Sequence, residues 1–363
     1  MNRITIAFFL QNLNGGGAEK SVVNLSNCLT NYGFNIDIVL VNKSVIAYSD
    51  ELDDRVNIID LKKDRSLKSI FALKKYLEKN KPDVIMSSVT HTNIIMILVK
   101  LLLMKSTTKV VINQVNHLSS IVESNFKYSF FKIIIIKSIV SMYGLADGVI
   151  SMSKGVELDL LQNGLKGDST FIYNPVVTDK MLAKSKGSLE DYEGVTFIAI
   201  GRLVKQKNFH LLIDAFMLVR KKIKSRLLIL GEGPLRESLE SKISNSGFKH
   251  DILLMGFVDN PYIYLKNADV FVLTSLWEGF GNVIVESLAL GTQVVSTNCP
   301  SGPEEILENG KYGFLSSSYN KNEIADLMIK AVSNPINEKI LEERGNYFSA
   351  EKAALEYKDF LLK

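Results

Sequence analysis

Apolar runs of about six residues alternate with amphipathic segments of helical length along the whole chain, and few architectures tolerate that rhythm. Strands covered on both faces read as continuous apolar runs, which is the mark of parallel sheets with helices on each side. In the first half the runs fall at residues 4–10, 36–41, 56–59, 84–87, 109–113 and 148–152. In the second they fall at 195–200, 226–230, 252–255, 270–273, 293–296 and, more weakly, near Phe314. A chain of 363 residues exceeds what one ordinary core holds, so the expected fold is α/β with two doubly wound domains. Residues 171–177, followed by a polar stretch to Gly194, read as the linker between them.

Composition narrows the partners. The net charge of +4 suits an anionic ligand or membrane surface and is too weak to argue for nucleic acid. Only Cys28 and Cys299 are present, which excludes a disulfide scaffold and makes a reducing cytosol the default. The first ten residues carry one positive charge and a short apolar run that stops at Gln11-Asn12; they read as a buried strand rather than a signal peptide. No Asp-x-Asp pair and no His/Cys cluster with ligand spacing occurs, so no metal and no cofactor is expected.

The stretch from Thr274 to Glu286 leaves a buried strand, turns through Gly279-Phe280-Gly281 and enters a helix near Asn282-Val283. Backbone N–H groups and the positive helix end then face outward together, which makes a phosphate seat. Glu278 just before the seat and Glu286 inside the helix are suited to accept hydrogen bonds from sugar hydroxyls. A ligand with phosphates in the middle and diols at both ends is a nucleotide-sugar. Two solvated acids on a helix face are the bland alternative.

The Glu-x7-Glu spacing of Glu278 and Glu286 around Gly-Phe-Gly resembles the signature of retaining glycosyltransferases of family 4. The resemblance implies the GT-B fold, two Rossmann-like domains facing across a cleft. Residues 1–174 would bind the acceptor and residues 175–348 the nucleotide-sugar, with a helix over 349–363 crossing back to the first domain on Ala353, Leu355, Phe360 and Leu361. The string Gly201-Arg202-Leu203-Val204-Lys205-Gln206-Lys207 is similar to the family's phosphate motif. Arg202 can grip two phosphate oxygens and Lys207 can act as a point charge. The glycines Gly231 and Gly233 would admit the nucleotide, the Phe257–Val258 backbone would meet the base, and residues 298–306 would close that end.

In the first half, Asn14-Gly15-Gly16-Gly17 is not Gly-x-Gly-x-x-Gly, and the second strand ends Val41-Asn42-Lys43 without the acid a dehydrogenase needs. By resemblance, Gly16 and Gly17 lie beside the donor pyrophosphate and the acceptor, although a glycine cluster also simply makes a tight turn. His117 is the candidate to contact the transferred sugar, with Val115 standing where some relatives place that histidine and His91 a weaker candidate. Ser153 reads as a helix N-cap. Residues 93–105 and 126–140 are apolar with interspersed lysines, and neither is a transmembrane span. Lys127, Lys132 and Lys137 amid aromatics and isoleucines suit a helix at an anionic membrane interface, or a core helix with extended lysines.

The expected activity is a cytoplasmic, peripherally membrane-bound glycosyltransferase of metal-independent, hexosyltransferase type. It would move a sugar, an N-acetylhexosamine for instance, from a nucleoside diphosphate-sugar, a UDP-sugar foremost, to a polyprenyl-linked oligosaccharide or glycolipid during surface polysaccharide or lipopolysaccharide assembly. Glu278, His117, Arg202 and Lys207 would carry catalysis. A nucleotide-sugar 2-epimerase of the same fold would turn over ligand without an acceptor, and a non-catalytic nucleotide-sugar binder is the third reading.

Overall fold

Thirteen strands form among the described residues of the computed structural model, which are 3–43, 47–103, 106–125 and 129–363, with residues 129 and 130 described in backbone alone. They are β1 Thr5–Leu10, β2 Asn35–Leu40, β3 Asn57–Asp60, β4 Val84–Ser88, β5 Lys109–Gln114, β6 Gly148–Ser151, β7 Ser169–Phe171, β8 Val195–Ile200, β9 Ser225–Leu230, β10 Ile252–Gly256, β11 Val270–Leu273, β12 Gln293–Thr297 and β13 Phe314–Ser316. Two compact units result, one of Met1–Val176 with Ala350–Lys363 and one of Val177–Ser349.

The first unit carries a seven-stranded parallel sheet in the order β3-β2-β1-β4-β5-β6-β7. Successive side chains of β1 point to opposite faces, as strand geometry requires. Ile6, Phe8 and Leu10 enter one core with Val22, Leu25 and Leu29 of the helix Gly17–Asn31. Ala7 and Phe9 enter the other, with Leu73, Ile95, Met96 and Val140. The C-terminal helix Ala350–Leu362 completes the first core through Ala350, Ala353, Tyr357 and Leu361, while Leu355, expected inward, is exposed. Each fully buried side chain of this size stabilises the fold by roughly 1.5–3 kcal/mol.

The second unit carries a six-stranded parallel sheet in the order β10-β9-β8-β11-β12-β13. One face packs Phe197, Leu227 and Val272 against Phe209, Leu212 and Phe216 of the helix Phe209–Arg220 and Met328 of the helix Lys321–Ser333. The segment read as a linker is more ordered than expected. Its first residue, Phe171, ends β7, and Thr178 caps the helix Asp179–Lys184 by accepting from the Met181 N–H.

The apolar stretch over 93–105 lies mostly in the helix Thr90–Leu102, whose Ile95, Met96, Ile97 and Val99 are core. The stretch over 126–140 divides: Ile136 and Val140 are buried, whereas Phe131, Ile133 and Ile134 are exposed. Met104, Lys105 and residues 126–128, Lys127 among them, lie outside the described residues. Among the described residues no helix is long and apolar enough to cross a membrane.

Candidate functional site

In both sheets the strand order reverses beside the first strand of the unit, between β1 and β4 and between β8 and β11. Loops leaving the carboxyl ends of two such strands diverge to opposite faces and open a crevice that suits a ligand. In the second unit those loops are residues 201–208 after β8 and 274–281 after β11. Backbone and side chain tie them together: the Leu276 N–H donates to the Gln206 carbonyl (2.8 Å), the Gln206 amide to the Trp277 carbonyl (2.8 Å), and the Thr274 hydroxyl to the Lys207 carbonyl (3.1 Å).

These ties bring Lys207 and Glu278 together. The Lys207 Nζ lies 2.6 Å from Glu278 Oε1, with their side chains 20% and 8% exposed. The hydroxyl of Ser275, itself fully buried, donates to the same oxygen at 2.6 Å. Cys299 lies within reach of this charge, and burial first, then Glu278, pushes its thiol well above the ordinary range. A buried carboxylate held by an ammonium and a hydroxyl is an acceptor group waiting for further donors.

The turn read as a phosphate seat does lead into a helix at Asn282. Gly279 and Phe280 are buried, and Gly281 adopts φ +101° and caps the helix Asn282–Ala289 without a side chain. Val283 lies in its first turn and Glu286, half-buried, further along. Gly231 and Gly233 serve the loops themselves. A Cβ on Gly231 would collide with the Gly201 carbonyl, and one on Gly233 would lie 2.6 Å from the Leu203 carbonyl. These glycines let the β9 turn press on the loop that carries Arg202. Arg202 is exposed, and no ion pair is recorded for it among the described residues, so it is not gathered into the Lys207–Glu278 cluster. Phe257 is exposed and Val258 half-buried just beyond β10.

The remaining candidates belong to the first unit. Gly16 precedes the helix Gly17–Asn31 in extended conformation, and Gly15 before it takes φ +106°. His117 follows β5 on a turn anchored from below: the Tyr143 hydroxyl donates to Gln114 Oε1 (2.9 Å), and the Gln114 amide donates to the Asn116 carbonyl (2.8 Å). His117 Nδ1 lies 3.3 Å from the Ser120 N–H and 3.7 Å from Asp159 Oδ2. Asp159, nearly fully buried, accepts from the Ser119 N–H (3.1 Å) and hydroxyl (2.5 Å) and so fixes the turn that carries His117. Asp159 shows in the sequence only as an acid set among Leu158, Leu160 and Leu161 on one helix, too faint a signal to single it out. His91 is exposed, and Ser153 caps the helix Lys154–Gln162 by accepting from the Val156 N–H.

The comparisons with known proteins agree over most of the chain. The family model described as Glycosyltransferase Family 4 matches residues 15–180, and that described as Glycosyl transferases group 1 matches residues 182–347. The chain is 30% identical over 331 residues to the N-acetylgalactosamine-N,N'-diacetylbacillosaminyl-diphospho-undecaprenol 4-alpha-N-acetylgalactosaminyltransferase of Campylobacter jejuni, covering 87% of each protein. It is 29% identical over 325 residues to a second Campylobacter jejuni enzyme, a GalNAc-alpha-(1->4)-GalNAc-alpha-(1->3)-diNAcBac-PP-undecaprenol alpha-1,4-N-acetyl-D-galactosaminyltransferase, covering 85% of this chain and 84% of that one. Among solved structures, Anabaena HepE in complex with UDP and glucose matches with a TM-score of 0.77 at 18% identity over 99% of each chain. That likeness carries the fold, and kinship in sequence carries the rest: the chain belongs to glycosyltransferase family 4 and is a glycosyltransferase of the GT-B fold.

Proposed function

We propose that this glycosyltransferase takes its sugar from a UDP-sugar held by the second unit and delivers it, with retention of anomeric configuration, to a polyprenyl-diphosphate-linked oligosaccharide or related glycolipid. The Lys207–Glu278 pair at the reversal between β8 and β11 carries the reading, because it sets an acceptor for sugar hydroxyls beside a cation for phosphate. As the sugar–phosphate bond breaks, positive charge grows at the anomeric carbon and negative charge on the departing diphosphate. Lys207, Arg202 and the amides at the start of the helix Asn282–Ala289 meet the second charge with positive potential already in place, and no metal or other cofactor is invoked. Glu278 holds the hexose and Glu286 the ribose. Gly16, Gly17 and His117 belong to the first unit, which binds the acceptor.

The acceptor class and an N-acetylhexosamine donor are favoured by the two Campylobacter relatives, whose names specify transfer to diphospho-undecaprenol-linked saccharides. The base is favoured by the HepE complex with UDP and glucose. The test is purified protein with a panel of UDP- and GDP-sugars and a lipid extract, assayed for diphosphate release with and without EDTA. Release that needs both a UDP-sugar and extract, and survives EDTA, is expected. Release without an acceptor, or none with any donor, overturns the reading.

The enzyme works, on this reading, at the inner face of a membrane. Phe131, Ile133 and Ile134 are exposed on a helix that also carries Lys132 and Lys137. A second segment on the same face of the sheet adds Leu67 (69% exposed) and Phe71 (78% exposed), amid Lys62, Lys63, Arg65, Lys68, Lys74 and Lys75. Exposed apolar side chains interspersed along the sequence with cations, of which Lys68 and Lys74 pair with Asp64 and Glu78, match an anionic bilayer surface, where each nearby lysine contributes about 1 kcal/mol. Replacing Lys132 and Lys137 with Glu together with Phe71 by Asp is expected to weaken binding to anionic vesicles at least ~100-fold by sedimentation. Unchanged sedimentation removes the membrane reading and leaves transfer standing.

A further inference from the structure

Glu278 is held by more than its ion pair. Both of its recorded side-chain bonds, from Lys207 Nζ and from the Ser275 hydroxyl, end on Oε1, each at 2.6 Å. Its N–H donates to the Pro300 carbonyl at 3.1 Å, and the Ser275 carbonyl accepts from the Thr297 hydroxyl at 2.7 Å. Ser275 is therefore fixed at both ends and fully buried at the exit of β11. The carboxylate is thereby turned so that one oxygen is occupied from within the protein.

We propose that Ser275 is a positioning residue for donor recognition, which locks the Glu278 carboxylate with Oε1 inward and leaves Oε2 to receive a hydroxyl of the donor sugar. The inference rests on the proposed function and refines it. Lys207 cannot do this work alone. Its flexible ammonium is also the cation that the diphosphate attracts, and on donor binding its attention is divided between phosphate and carboxylate. The hydroxyl of Ser275 is neutral, short and fastened to a strand end, so it keeps the carboxylate oriented whatever the ammonium does. A hydrogen bond to a charged acceptor in a low-dielectric site is among the stronger ones available to a protein. An ionised carboxylate only accepts, so the site selects a sugar that presents a hydroxyl donor at that place.

The test is Ser275→Ala beside the unaltered protein, using UDP and the UDP-sugar of the panel that the unaltered protein turns over fastest. Affinity for UDP, measured by titration calorimetry, is expected to stay within about twofold, since UDP lacks the hexose that would meet Glu278. Steady-state kcat/KM for the UDP-sugar is expected to fall about 10- to 100-fold, by the worth of a charge-assisted hydrogen bond. The unaltered protein should also discriminate against the deoxy analogue that lacks the hydroxyl read by Glu278. Ser275→Ala should shrink that ratio at least tenfold, which loss of packing alone would not do.

Equal loss of UDP affinity, or an unchanged deoxy ratio, overturns the proposal. Should Ser275→Ala not fold, Ser275→Cys, nearly isosteric and a far weaker donor, is read the same way. Failure of the underlying function looks different: the unaltered protein would then turn over no sugar nucleotide, or Glu278→Ala would turn it over as well as the parent.

Discussion

Glu278→Ala is expected to lower kcat/KM for sugar transfer by about 10²- to 10⁴-fold, and Lys207→Ala by about 10²- to 10³-fold. On the proposed function, the first removes the carboxylate whose Oε2 accepts from the sugar, and the second removes preorganised positive charge from the departing diphosphate. Because the two groups lie 2.6 Å apart and largely out of solvent, each deletion also strands its partner. Stability should respond accordingly. Loss of either member of a buried pair costs up to about 3–5 kcal/mol, reduced here because the Lys207 side chain retains contact with water. The double variant should be more stable than the sum of the single losses implies, since it leaves no unpaired charge. Glu278→Gln separates charge from shape: its amide oxygen can still accept from Ser275, but the Lys207 ammonium loses its counter-charge, so it should melt between the parent and Glu278→Ala while transfer stays at least ~10-fold down. Steady-state kinetics and thermal melting on the four variants and the parent decide it. Near-normal turnover by either alanine variant would withdraw the site.

How far the sequence foretold this arrangement depended on how local the cause was. Twelve strands announced themselves because side chains such as Ile6, Phe8, Val84 and Val272 are buried on both sheet faces, and burial writes a continuous apolar run. β7 escaped because only one of its three residues, Phe171, is apolar, so it writes no apolar run. Leu355 was read inward because the helix period admits it, although the face that packs runs through Ala350, Ala354, Tyr357 and Leu361. Arg202, Lys207, Glu278 and Glu286 could be singled out from motif spacing. The 2.6 Å bond between Lys207 and Glu278 could not, since it joins residues 71 apart through ties that include the Gln206 side chain. Asp159 and Ser275 were missed for the same reason, being small supports whose meaning lies in what they touch. Leu67 and Phe71 carry no distinguishing pattern in the sequence; their exposure follows from what the fold leaves uncovered.

Gly302→Ala is expected to destabilise the second unit by about 3–5 kcal/mol and to abolish transfer along with it. Gly302 takes φ +92° and ψ −65°, outside the left-handed helical region, a conformation that costs an L side chain on the order of 1–3 kcal/mol. Beyond that strain, a Cβ there would collide with the carbonyl of Phe280, and the colliding atoms are backbone, which cannot rotate aside. Phe280 is itself pinned, being buried with its ring edge-on to Phe348 at 5.4 Å. The displacement must therefore pass along the turn to Glu278 on one side and to the start of the helix Asn282–Ala289 on the other. Gly310→Ala is the matched comparison. It has nearly the same φ, +95°, but its nearest neighbour is the Gly313 carbonyl at 3.6 Å, so it should cost only the strain and leave transfer intact. Urea melts of the two variants isolate the collision as the difference between them. Equal losses would mean that backbone conformation alone governs both sites, and that the close stacking of the 298–303 turn on the Gly-Phe-Gly turn does not position the catalytic carboxylate.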